Sequence, residues 1–129
     1  MKNLIMALGL VAFGSVAHAE VAGATRSAQE NFQIVLEVDP STLPLNEFVE
    51  LKVMVYDAAD ALVPNATISI GGGMPGHGHG LPTSPEVRSN ADGSYVVEGL
   101  KFSMPGEWVL VFDILANGTS DSATVEFGL

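Results

Sequence analysis

Cysteine is missing altogether from this chain. That excludes disulfides, and with them thiolate sites for zinc, blue copper or iron–sulfur clusters. A lipid anchor on a cysteine following a leader is excluded too. Methionine is left as the one strongly soft side chain for a metal. Basic residues are scarce: five Lys and Arg stand against fifteen Asp and Glu, a net charge of −10. So acidic a chain repels nucleic acid and anionic lipid, and neither is expected as a partner. It draws cations loosely, but a diffuse field is not a site. No stretch has helical period. The one long apolar run, Leu4 to Val16, falls short of the roughly 20 residues that a membrane span needs.

That run reads as part of a cleavable signal peptide. Lys2 supplies the charge of the n-region, and Ala17-His18-Ala19 fits the small-residue cleavage pattern, so Glu20 is the expected mature N-terminus. Loss of Lys2 takes the net charge from −10 to −11. The expected organisation is a signal peptide over 1–19, a flexible lead-in over 20–31 and one domain over 32–129. The protein is then periplasmic or secreted, with no stable membrane anchor. A single core must supply its stability, since the remaining length suits one domain and not two.

Alternation supplies the fold. Phe32, Ile34, Leu36 and Val38 alternate with Gln33, Val35, Glu37 and Asp39, which predicts a strand with one face inward. Val49, Leu51, Val53 and Val55 share one face of a second strand, and Glu50, Lys52, Met54 and Tyr56 the other. Ala66 to Ile70 is a short third strand running into glycines, and Glu86 to Ser89 a fourth. Asn90-Ala91-Asp92-Gly93 is a turn sequence. Tyr95 and Val97 open a fifth strand, whose register Gly99 is placed to break with a bulge. Trp108, Leu110, Phe112 and Ile114 mark the inward face of a central strand, with Trp108 in the core. Asn117-Gly118 is a hairpin signal, and Ala123, Val125 and Phe127 mark the last strand. About seven short strands with turns every 8–12 residues predict an all-β, immunoglobulin-like antiparallel sandwich, with a small Greek-key barrel as the alternative.

The chemistry concentrates in one stretch. Met74-Pro75-Gly76-His77-Gly78-His79-Gly80 follows Gly71-Gly72-Gly73 and is a loop by composition. It holds both histidines outside the leader. Its opening recurs at Met104-Pro105-Gly106, and apart from Met54 every methionine beyond the leader lies in one of these two tripeptides. In an extended segment, His77 and His79 at i and i+2 point to one side and can reach one ion. Met74 and Met104 add thioethers, each followed by a proline that stiffens its presentation. Two imidazoles and two thioethers are neutral, partly soft ligands, a set that favours Cu(I) over zinc. The same residues admit blander readings: methionines plugging the open end of the core, histidines solvated among glycines. Zinc or Cu(II), with Glu107, Asp92 or another carboxylate in place of the methionines, is a further one.

Several segments together resemble the YtkA-like domain family, which is related to FixH-like proteins linked with copper oxidase maturation. They are Leu62-Val63-Pro64-Asn65-Ala66, Met74 through Gly80, Asp92-Gly93-Ser94-Tyr95, Gly99-Leu100-Lys101-Phe102 and Met104-Pro105-Gly106-Glu107-Trp108. The resemblance implies a small exported β-sandwich. Analogy with periplasmic methionine- and histidine-rich carriers extends it to copper handling. The expected function is thus an exported Cu(I) carrier or chaperone, not an enzyme. Its ligands are Met74, His77, His79 and Met104, and its partner is another exported protein that donates or receives copper. The alternative is a metal-free sandwich that binds a protein through the glycine- and histidine-rich loop or an exposed edge strand.

Overall fold

The computed structural model describes residues 23–129, so the signal peptide expected over 1–19 lies outside the described residues. Seven longer strands carry the fold: β2 (Phe32–Leu36), β3 (Phe48–Asp57), β4 (Thr67–Met74), β6 (Glu86–Ser89), β7 (Tyr95–Lys101), β8 (Glu107–Ala116) and β9 (Thr119–Gly128). Two two-residue strands, β1 (Thr25–Arg26) and β5 (His79–Gly80), extend the sheets. One sheet has the order β1-β2-β3-β7-β6 and the other β5-β4-β8-β9, and their paired strands run antiparallel. The two sheets face each other as the expected sandwich, not as a closed barrel. Among the described residues no helix is long and apolar enough to cross a membrane.

The alternating faces pack as their periods demand. Leu51, Val53 and Val55 of β3 are buried against Leu110, Phe112 and Ile114 of β8 in one core cluster. At one end of it Phe102 meets Trp108 and Phe127 edge-on, with ring centres 5.1 and 5.5 Å away. The β3–β7 register shifts between Val49 and Leu51, where two residues, Glu98 and Gly99, oppose the single Glu50; this is the bulge expected at Gly99. The crossing from β3 to the second sheet is pinned by Tyr95. Its hydroxyl donates to the Val63 carbonyl (2.5 Å) and accepts from the Ala66 N–H (2.8 Å). Gly106 and Leu129 exchange both backbone hydrogen bonds, N to O at 2.8 and 2.9 Å.

Three expectations need correction. Val38 is 43% exposed, because β2 ends at Leu36 and the chain turns at Pro40. The described part of the lead-in, 23–31, is not an unstructured approach: β1 pairs with β2, and the segment after it is bound to β9 through Asp121. The Asp121 carboxylate accepts from the Ser27 hydroxyl (2.6 Å) and from the backbone N–H groups of Gln29, Asn31 and Ser122. Third, Gly71 to Met74 belong to a strand. β4 runs through the three glycines and stays paired with β8 as far as Gly73–Val109.

Candidate metal centre

Gly72 and Gly73 are in β4 because its neighbours approach too closely there for anything larger. A Cβ at Gly72 would collide with the Val109 backbone, and one at Gly73 with the backbone of His79 and Gly80. Both residues also have φ beyond +120°, which side-chain-bearing residues rarely adopt. β4 delivers Met74 to the end of the sheet. Pro75 to His77 then form a 3-10 turn, Gly78 takes a left-handed conformation, and β5 folds back onto β4 with His79 directly opposite Met74. The expectation of His77 and His79 in one extended segment is therefore overturned: a tight turn separates them. Cross-strand pairing supplies the convergence instead, since opposed residues in antiparallel strands present their side chains to one face.

Met74 is buried, 1% exposed, and follows Gly73 just where Trp108 precedes Val109 on the adjoining strand. The second tripeptide closes against it. A Cβ built at Gly106, whose φ is +140°, would lie 2.7 Å from the Met74 Cε, so the two Met-Pro-Gly segments are in contact. Met104 packs partly buried against the core, and its carbonyl accepts the indole N–H of Trp108 at 3.0 Å. Met74, His79, Leu81, Pro82, Met104 and Trp108 line one cavity of about 360 Å³.

Three of the four expected ligands, Met74, His79 and Met104, thus face a common space. His77 does not line it. It is exposed at the end of the 3-10 turn, with its ring nearly parallel to that of His79 (12°) and the ring centres 6.2 Å apart.

The carboxylate alternatives are not built. Glu107 pairs with Gly128 and extends over it on the outer face of the sheet, away from the inward Trp108. Asp92 sits in the β6–β7 turn. Its carboxylate accepts from the Ser94 hydroxyl and N–H and pairs with Lys52 at 3.3 Å, which together hold its pKa down to about 2. Among the described residues no three His, Cys, Asp or Glu side chains gather where they could hold an ion. A larger hollow of about 460 Å³ lies on the outer face of the second sheet, among Thr67, Ser69, Asp113, Leu115, Ser120 and Asp121. It contains neither methionine nor histidine. Trp108 packs in the core as expected, and it also lines the cavity of Met74, His79 and Met104, which sequence reasoning did not foresee. The usable signal was its place four residues after Met104, on the inward face of a strand that starts beside the tripeptide.

A family model described as YtkA-like matches residues 26–111. No curated protein matches the chain. Among solved structures, FetP from a uropathogenic E. coli strain, as isolated after recombinant expression in the periplasm, is similar at 15% identity with a TM-score of 0.49. The match covers 82% of this chain and 95% of that one.

Proposed function

The chain belongs to the YtkA-like family, and from that premise we propose that it is an exported copper carrier that holds one Cu(I) between its two Met-Pro-Gly segments. Met74, Met104 and His79 are the ligands, and His77 is the exposed imidazole at the entrance. The observation that carries this reading is the common cavity faced by two thioethers and one imidazole that come from positions far apart in the chain. Neutral thioether and imidazole donors suit Cu(I), whereas zinc and Cu(II) call for imidazole, carboxylate or thiolate. The distribution of exposure supports a carrier. Met74 is buried while both histidines are exposed, so an incoming ligand from a donor or acceptor protein can reach the ion from the histidine side.

The test is a competition titration of the exported protein against a Cu(I) chelator. One equivalent of Cu(I) should bind, more tightly than Zn(II), and Met104→Leu should weaken it at least tenfold, with a smaller loss for His77→Ala. Affinity falls in acid, because only neutral imidazole ligates. Equal Cu(I) affinity in the parent and both variants overturns the proposal.

A further inference from the structure

Trp108 has a second position besides its place in the core. Phe102 packs edge-on against the indole, at 78° and 5.1 Å between ring centres, yet the same indole forms part of the wall of the Met74–His79–Met104 cavity. Its one polar atom is already engaged: Nε1–H donates to the carbonyl of Met104 at 3.0 Å. The ring therefore has no donor left over to offer the cavity. That hydrogen bond also fixes the ring relative to the residue that carries one of the thioethers. On the other side, the β4–β8 ladder sets Trp108 beside Met74 on the inward face. The indole is thus tied to both methionines, one through a hydrogen bond and one through sheet register.

We infer that Trp108 is a working part of the metal centre: the indole closes the ion's open side through a cation–π contact and makes the pocket selective for soft monovalent ions. The inference rests on the copper reading above and adds to it the basis of selectivity. Tryptophan is the strongest π donor to a cation, and the contact gains strength where water is excluded. Two thioethers and an imidazole leave a Cu(I) ion three-coordinate. An aromatic wall on that side offers no oxygen or nitrogen ligand, while the histidine side stays open to an incoming one. A divalent ion, which seeks further nitrogen or oxygen ligands, is disfavoured there, while Cu(I) and Ag(I) are content with few.

Because Trp108 is the only tryptophan, its emission reports on this one location. The exported protein is titrated with Cu(I), with Ag(I) as a redox-inert probe and with Zn(II), and bound metal is counted after gel filtration. Cu(I) and Ag(I) should quench Trp108 emission by more than half, with a break at one equivalent, and Zn(II) should leave it unchanged. Trp108→Phe, which keeps an aromatic ring in the core, should bind Cu(I) about tenfold more weakly in chelator competition. Should that variant fail to fold, the emission of the unaltered protein still decides. One equivalent of Cu(I) or Ag(I) bound with unchanged emission overturns the inference, and the copper reading then stands if Met104→Leu still weakens binding at least tenfold and falls if it does not. Undiminished Cu(I) affinity in folded Trp108→Phe overturns it as well. Binding of neither probe overturns both readings.

Discussion

Gly106 shows how much of the candidate centre depends on the absence of one methyl group. Its φ of +140° and the 2.7 Å between a built Cβ and the Met74 Cε mean that alanine there meets two separate penalties. The backbone strain costs about 1–3 kcal/mol. The steric conflict falls on the flexible tip of Met74, which can rotate away cheaply but carries its thioether out of the cavity. Gly106→Ala should therefore lower the urea midpoint modestly and weaken Cu(I) binding by more than its stability loss explains; chelator competition and equilibrium unfolding on the same sample separate the two. At this scale the sequence was readable for residue types and not for directions. The recurrence of Met-Pro-Gly singled out Met74 and Met104, and the two residues line one cavity. That His77 faces outward while Trp108 shares the cavity depends on a left-handed Gly78 and on sheet register, and neither leaves a mark in spacing.

Elements with clear alternation were legible nearly to their ends. β3 and β8 show inward and outward faces as the period demands, because burial on one side leaves no other choice. β4 and the approach to β2 were misread for opposite reasons. Glycine normally signals a loop, but here it admits backbone contact within a sheet, at Gly72 and Gly73. The small polar residues before Phe32 carry no period of their own, and their order comes from a carboxylate some ninety positions away. Desolvation opposes the charge on Asp121, but hydrogen bonds from Ser27, Ser122, Gln29 and Asn31 outweigh it and hold its pKa down to about 2. The linkage has a definite sign. A carboxylate whose folded pKa lies below its unfolded value, near 3.9, contributes stability that is complete above pH 4 and lost as pH falls toward 2. Asp121→Asn should lower the urea midpoint at neutral pH and flatten its decline between pH 4 and 2. Asp92, also held near 2, adds its own slope, so the difference between parent and variant belongs to Asp121. Parallel declines in the two proteins would show that the tie does not depend on charge.

The described residues share one inter-sheet core, and with no cysteine in the chain no disulfide reinforces it. Val53 is 1% exposed at its centre. Burying an unpaired carboxylate there costs more than about 4 kcal/mol, against a typical domain stability of about 5–15 kcal/mol. Val53→Asp should leave the protein largely unfolded, seen as loss of the cooperative thermal transition; a sharp melt near the parent temperature would refute the assigned face. Sandwich and strand count could be read from the chain because faces and turns are local signals. The junction of the two tripeptides could not, because it depends on which sheet each strand joins. The backbone pairing of Leu129 with Gly106 has a practical side for anyone preparing this protein. Residues appended after Leu129 emerge next to the methionine–histidine cavity, so a polyhistidine tail fused there would offer competing imidazoles and counterfeit the very affinity being measured. A handle placed there is to be cut away before any titration.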